Sequence, residues 1–107
     1  MGQSIVVHID EAKWLTKQNP IPGDSRDRGS QFIGDLDKGP WIHIESLEPN
    51  HTTNTHSHNQ DEVIYIIDGE LTFTERLCGP GTVIFVERDT EYAFTVGGDG
   101  VRFMIVR

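Results

Sequence analysis

The sequence predicts an all-β protein, built as an antiparallel sandwich or barrel. From position 40 onward, short runs of β-branched and aromatic residues alternate with clusters of turn residues. Within these runs, apolar and polar residues often alternate, as in strands that bury one face. The runs predict seven strands, over residues 40–48, 54–59, 62–67, 70–76, 82–87, 91–96 and 101–106.

Three glycine-containing segments are the predicted connections between these strands. Asp68-Gly69 suits a tight hairpin, because glycine readily adopts the positive φ angles that such turns require. Gly79-Pro80-Gly81 predicts a turn, and Gly97-Gly98-Asp99-Gly100 predicts another hairpin connection. Each connection therefore has a backbone reason in its residues.

Alternation within the strands assigns the aromatic residues to faces. Leu71 and Phe73 share one face, and Tyr92, Phe94 and Val96 share another, so we expect Tyr92 to point inward. Tyr65 lies in a run that is apolar on both faces, which predicts packing in the core or at a dimer interface. The predicted aromatic core consists of Phe73, Phe85, Phe94 and Phe103.

The first 39 residues differ from the rest and predict an irregular N-terminal arm. Residues 4–10, SIVVHID, suit an edge strand, and residues 11–16, EAKWLT, suit a single helical turn. Residues 19–31 have the proline, glycine and charge content of a loop. We expect this arm to close one end of the β-structure or to pair with a second subunit, protecting exposed sheet edges.

Length and charge restrict the class of protein. A chain of 107 residues predicts one domain, residues 1–107, with the arm at 1–39 and the β-core at 40–107. The net charge of −8 repels phosphate backbones and anionic lipid, which argues against nucleic acid and membranes as partners. No apolar run is long enough to span a membrane and the N-terminus lacks signal-peptide features, so we expect a cytoplasmic protein. Cys78 is expected to be a small strand-end residue.

Residues 51–70, HTTNTHSHNQDEVIYIIDGE, contain a candidate metal site. His56 and His58 are two positions apart, so on a strand both imidazoles project from one face. Glu62 would enter from the next strand, after a bend at residues 59–61. Two imidazoles and a carboxylate suit divalent Fe, Mn, Ni, Cu or Zn. The alternative is a solvated histidine-rich loop, which is also the interpretation we favour for His51.

These residues carry a family resemblance. HSHNQDEVIYIIDG resembles the first cupin motif through His56, His58, Glu62 and Gly69, and a degraded second motif can be aligned from Gly81. The resemblance covers residues 40–107. It implies an antiparallel double-stranded β-helix, the jelly-roll or cupin barrel, with the irregular arm outside it, and we expect a homodimer.

The sequence departs from the family pattern at several positions. Asn50 replaces the glycine before the first ligand, and the second motif has Glu87, Asp89 and Val96 where the family has Pro, Gly and Asn. Asn50 and Asp89 can still adopt left-handed turn conformations. The family's third histidine ligand falls on Tyr92. This tyrosine could bind the metal as a phenolate, hydrogen-bond a water or substrate, or pack in a site without metal.

Further residues are candidates for contact with a substrate. On the strand that begins near Trp41, His43 and Glu45 either face the interior or, in the opposite parity, lie in water. If inward, His43 could act as a base beside the site. Arg88 is a candidate anchor for an anionic substrate. Phe94, on the Tyr92 face, is a candidate substrate contact as well as a core residue.

The resemblance implies a divalent-metal-dependent enzyme acting on a small organic substrate, with dioxygenase, lyase or isomerase chemistry. The implied metal ligands are His56, His58, Glu62 and Tyr92, and Tyr92 and His43 are the candidate catalytic residues. The alternative function is a non-catalytic small-molecule-binding or sensor protein, in which the metal is absent or structural.

Overall fold

The structure is a computed structural model that describes residues 2–107. Its strands form one antiparallel sheet. The strand order is β1-β2-β3-β7-β4-β5, and β6 also pairs with β4. The strands are β1 (Lys13–Lys17), β2 (Gly29–Ile33), β3 (Ile42–Leu47), β4 (Glu62–Phe73), β5 (Arg76–Cys78), β6 (Val83–Val86) and β7 (Phe94–Val106). This architecture confirms the predicted all-β jelly-roll class.

Two predicted hairpins are instead bulges within long strands. β4 runs through Asp68-Gly69 and β7 runs through residues 97–100, with register shifts between Ile66 and Asp68 and between Gly69 and Leu71. Gly69 has φ +77°, and a Cβ there would overlap the carbonyl oxygen of Gly100. A β-bulge can require a residue with positive φ just as a hairpin turn does. The glycine therefore predicted a hairpin where the chain forms a bulge. The turn predicted at residues 79–81 is confirmed.

The N-terminal arm joins the sheet in an unexpected way. Residues 4–10 form no strand, and the helical turn predicted at residues 11–16 is wrong, because β1 occupies residues 13–17. A short 3-10 turn at Ile9–Glu11 precedes it. β1 pairs with β2, which pairs with β3, so the arm adds two strands to one edge. The weak helical preference of residues 11–16 is overridden by the backbone pairing of β1 with β2, which in turn pairs with β3.

The inner face of the sheet carries the apolar core. The register pairs His43 with Ile105 and Glu45 with Phe103, and Ile105 and Phe103 are buried in this core. His43 and Glu45 therefore face inward, which is the first of the two orientations considered for this strand. The core comprises Ile64, Ile66, Leu71, Cys78, Val86, Tyr92, Phe94, Val96, Val101, Phe103 and Ile105. Each large apolar side chain buried here contributes about 1.5–3 kcal/mol.

The outer face is covered at the edge where the arm lies. Gln31 is paired with Ile44 in the neighbouring strand, and both are almost completely buried. The side-chain nitrogen of Gln31 donates hydrogen bonds to the carbonyls of Ile9, at 3.2 Å, and Ala12, at 3.0 Å. The residues before β1 thus pack over this part of the sheet and satisfy a buried amide.

Elsewhere the outer face carries an apolar outer patch, formed by Val63, Tyr65, Val83 and Phe85, that is partly exposed. β4 and β6 bring these residues together, since Val63 pairs with Phe85 and Tyr65 pairs with Val83. The prediction of Phe85 as a core residue is wrong, because it is 61% exposed. Its register with Val63 places it opposite the core face. Of the two places predicted for Tyr65, the core is excluded by its 39% exposure, and the dimer interface stays a prediction.

The structure also bears on the predictions made for Cys78, Asn50 and Asp89. Cys78 ends β5 and is buried, as expected of a small strand-end residue. Asn50 and Asp89 both have positive φ, which confirms their left-handed conformations. No helix among residues 2–107 has the length and hydropathy needed to cross a membrane. The cytoplasmic location, the homodimer and the exclusion of nucleic acid and membranes as partners stay predictions.

Candidate functional site

The two motif histidines lie on a segment that is attached to the chain before β7. The strand predicted over residues 54–59 is reduced to one isolated bridge, which pairs His56 with Tyr92. In this bridge the His56 N–H donates to the Tyr92 carbonyl at 3.0 Å and the Tyr92 N–H donates back at 2.9 Å. His56 and His58 are both partly buried while Ser57 is exposed, so the imidazoles share one side as predicted. Their ring centroids are 5.2 Å apart.

Glu62, the first residue of β4, is a buried carboxylate with two protein donors. Its side chain is 1% exposed. The Tyr92 hydroxyl donates to Oε1, and the Arg107 Nε donates to Oε2 at 2.9 Å. A buried carboxylate is costly unless it is paired and hydrogen-bonded, and these two contacts meet both conditions.

Arg107 is a central residue that the sequence analysis missed. It extends the pairing of β3 and β7 by one position, since Trp41 and Arg107 exchange backbone hydrogen bonds of 2.9 and 3.0 Å. Its Nη2 lies 3.4 Å from the Nε2 of His58, so one guanidinium touches both Glu62 and His58. Residues 101, 103 and 105 are buried inward, and continuing that alternation by one step predicts an inward Arg107.

Tyr92 is held as a hydrogen-bond donor. It is 4% exposed, and its ring stacks on Phe73 with centroids 5.1 Å apart. Burial, together with the hydrogen bond to Glu62, raises the pKa of the Tyr92 hydroxyl far above its ordinary value. The phenol therefore keeps its proton at neutral pH. In this arrangement the Tyr92 hydroxyl supports Glu62, a partner that the sequence analysis did not consider for it.

His43 contributes an unpartnered nitrogen next to this cluster. Its Nε2 is buried and has no hydrogen-bond partner among residues 2–107. Burial, and then the charge of Arg107, lower the pKa of His43, so the ring is neutral near pH 7. Burial raises the pKa of the neighbouring Glu45. A hydrogen bond from the Ser30 hydroxyl, at 2.7 Å, lowers this pKa but does not cancel the effect of burial.

His56 has a fixed tautomer in this arrangement. Its Nδ1 lies 2.7 Å from the Asn54 carbonyl oxygen. A carbonyl can only accept, so Nδ1 carries the proton and the Nε2 of the neutral ring keeps a lone pair. Burial, followed by the charge of Arg107, lowers the pKa of His58. The cluster thus offers imidazole lone pairs beside a guanidinium.

We call the group formed by His56, His58, Glu62, Tyr92 and Arg107 the polar cluster. The other candidate residues lie outside it. Arg88 has a 71% exposed side chain, whose Nε lies 4.0 Å from the carboxylate of Asp89, and its backbone N–H donates to the Asp61 carboxylate at 2.9 Å. Phe94 is buried in the core, edge-to-face against Phe103 with centroids 5.8 Å apart. His51 lies 3.6 Å from the carboxylate of Glu48, in a loop as predicted. The substrate contacts predicted for Arg88 and Phe94 gain no support from these positions.

The predicted triad does not fit a divalent metal ion in the arrangement that the structure shows. Within residues 2–107, no three His, Cys, Asp or Glu side chains are grouped so that they could hold one ion. Both oxygens of Glu62 accept protein hydrogen bonds, and the Nε2 of His58 faces the Arg107 guanidinium. The structure brings His56, His58, Glu62 and Tyr92 together, but as a hydrogen-bonded cluster around a cationic side chain.

Comparisons with known proteins agree with the fold. The polyketide cyclase RemF from Streptomyces resistomycificus has a TM-score of 0.72 and 24% identity, covering 97% of this chain and 78% of that chain. KdgF from a Halomonas species has a TM-score of 0.70 and 14% identity, covering 97% and 93%. A cupin superfamily protein from Desulfitobacterium hafniense has a TM-score of 0.68 and 17% identity, covering 89% and 94%.

Sequence comparison gives the family. A search of curated proteins finds no match. The family model described as the cupin domain matches residues 43–106, which is more than half of the chain. The matched region includes β4, β7, all of β3 except Ile42, and all the residues of the polar cluster except Arg107. The chain therefore belongs to the cupin family.

Proposed function

We propose that this chain is an enzyme of the cupin type that binds a small organic molecule and moves a proton on it, as an isomerase or lyase does. One observation carries the proposal. The buried, unpartnered Nε2 of His43 lies within the electrostatic reach of Arg107 on the inner face of the sheet. A neutral imidazole in the electric field of a guanidinium combines a base with a group that stabilises negative charge.

These residues suit proton abstraction from a carbon next to a carbonyl group. The imidazole lone pair of His43 would take the proton, and the electron pair left behind would move onto the carbonyl oxygen. Arg107 makes its hydrogen bonds to Glu62 and His58 through Nε and Nη2, which leaves Nη1 to bind that oxygen. Return of the proton to another carbon gives an isomer, and loss of a leaving group gives an elimination product.

The surrounding residues would hold the guanidinium in place. Glu62 is fixed by the Tyr92 hydroxyl, and it fixes Arg107 in turn through the 2.9 Å contact. A rigid support for a charged group is what preorganised electrostatic stabilisation requires. The fold neighbour named as a polyketide cyclase supports the view that this fold can host chemistry on small organic molecules.

The proposal is tested by deuterium exchange, which detects proton abstraction without knowledge of the full reaction. The purified chain is incubated in D₂O with a panel of 1,3-diketones, 2-oxo acids and ketoses, and exchange is followed by ¹H NMR. We expect catalysed exchange in at least one compound, and a rate at least about 100-fold lower in His43→Gln. The matched control is His51→Gln, which changes a loop histidine outside the cluster.

The outcomes separate the two candidate functions. Exchange that is lost in His43→Gln and kept in His51→Gln supports the proposed enzyme. Equal exchange in both variants would show that His43 is not the base. A compound that raises the melting temperature without exchange would support the non-catalytic binding or sensor function. Neither exchange nor stabilisation with any compound would overturn the proposal.

A further inference from the structure

We infer that Arg107 is the resident cation of this cupin site and that it closes the site to a divalent metal ion. The guanidinium touches two of the four predicted metal ligands, Glu62 through Nε at 2.9 Å and His58 through Nη2 at 3.4 Å. The inference rests on the proposed function and deepens it, because both concern the polar cluster. It changes the class of site from a metal centre to an arginine centre.

The first argument is the use of the carboxylate. A carboxylate has about four lone-pair sites, and a divalent ion bound by Glu62 needs one of them directed at it. Here Oε1 accepts from the Tyr92 hydroxyl and Oε2 accepts from Arg107, while the side chain is 1% exposed. A metal ion would have to displace one of these donors or share its oxygen with it, and the bond from Arg107 is charge-assisted and lies in a buried site, where such bonds are strongest.

The second argument is electrostatic. Arg107 already neutralises Glu62, and a guanidinium keeps its charge throughout the accessible pH range. A divalent ion between His56, His58 and Glu62 would lie a few ångströms from this positive charge with no uncompensated carboxylate among its donors. Repulsion between like charges at such separations is large where water is excluded.

The third argument is that the position of Arg107 is built into the sheet. Its backbone N–H and carbonyl are both paired with Trp41, at 3.0 and 2.9 Å, which continues the ladder of β3 and β7. The same register places Arg107 opposite Glu62, since Val106 pairs with Val63 one step before. Two neighbouring strands thus aim the guanidinium at the carboxylate, and the contact does not depend on a freely rotating surface side chain.

The experiment is a metal titration of the full chain purified without a histidine tag. Co(II) and Zn(II) are added to wild type, Arg107→Gln and Arg107→Lys, and binding is followed by calorimetry and by the visible spectrum of Co(II). We expect no stoichiometric binding in wild type or Arg107→Lys, and affinity at least about 10- to 100-fold higher in Arg107→Gln. The gain should disappear in Arg107→Gln/His58→Ala. The matched control Arg88→Gln removes an exposed arginine and should behave as wild type.

Two results would overturn the inference. One is stoichiometric metal in wild type that is lost in His58→Ala, and the other is a folded Arg107→Gln variant with no gain in affinity. If Arg107→Gln does not fold, the Nε–H resonance of Arg107 in wild type decides the matter: a shift upon addition of Zn(II) overturns the inference, and no shift supports it. No substrate is used, so failure here is distinguishable from failure of the proton-transfer proposal.

Discussion

The first two residues of β4, Glu62 and Val63, reverse the usual distribution of polar and apolar residues between the inner and outer faces of the sheet. Glu62, on the inner face, is 1% exposed, whereas its neighbour Val63, on the outer face, is 36% exposed. The charged residue is buried because Tyr92 and Arg107 pair with both of its oxygens. The outer patch is exposed because nothing in the described chain covers it. At these two positions burial follows the available partners rather than hydrophobicity.

The largest predicted effect comes from removing the carboxylate on the inner face. Glu62→Ala would leave Arg107 without its ion pair and Tyr92 without its acceptor in a buried site. We expect the free energy of unfolding to fall by about 3–5 kcal/mol. Urea denaturation followed by fluorescence or circular dichroism measures this change. The matched control is Glu75→Ala, which changes an exposed glutamate in the turn after β4.

A second variant tests whether charge pairing is the reason for that loss. Glu62→Met/Arg107→Met removes both charges together, so no ion is left unpaired. We expect the double variant to recover most of the stability lost in Glu62→Ala, because replacing a whole buried pair by apolar residues is often neutral. A loss as great as that of Glu62→Ala would mean that the shape of this cluster, not its charge balance, controls stability.

Tyr92→Phe is expected to have the next largest effect. It removes the hydroxyl donor of Glu62 and keeps the ring that stacks on Phe73. We expect a loss of about 1–2 kcal/mol, because a hydrogen bond to a buried carboxylate is stronger than one between neutral groups. The control on the outer face is Tyr65→Phe, for which we expect a change within about 0.5 kcal/mol. Equal changes in the two variants would contradict a special role for the inner hydroxyl.

The inner face was the more predictable of the two from sequence. The alternation of Tyr92, Phe94 and Val96 predicted their burial, and the spacing of His56 and His58 predicted their common side. These features depend only on the two-residue period of extended chain, which local sequence carries. The fold class followed in the same way, together with the resemblance to the first cupin motif.

What could not be predicted depends on pairing between distant segments. Asp68-Gly69 was expected to be a hairpin, but its role as a bulge depends on Gly100 lying opposite, more than thirty residues later. Phe85 was assigned to the core because its own strand is apolar on both faces, and only its register with β4 places it outside. Arg107 was missed because its importance lies in contacts with residues 58 and 62. Local patterns do not encode these registers.

A smaller effect is expected from the partly buried carboxylate of Glu45. Burial raises its pKa in the folded protein above the ordinary value of 4.5, so folding favours the protonated form. Its contribution to stability is therefore complete below that value and is lost as the pH rises through the raised pKa. We expect Glu45→Gln to be more stable than wild type by up to about 1 kcal/mol at pH 8, with little difference near pH 4. Thermal denaturation across this range measures it, and Glu75→Gln, an exposed change, should show no such trend.

The smallest effect on the folded monomer is expected on the outer face, where the homodimer prediction can be tested. Val83 and Phe85 are each 61% exposed, so Val83→Ser/Phe85→Ser should change monomer stability by only about 0.5 kcal/mol per site. The outer patch has no charged residue in a chain of net charge −8, so two copies can join there without pairing like charges. We expect light scattering to show a dimer in wild type and a monomer in the double variant.

Leu77→Ser is the control, since Leu77 is equally apolar and 62% exposed but lies on β5, outside the patch. A wild-type monomer at about 100 μM would contradict the dimer, because a specific interface of standard size holds at such concentrations.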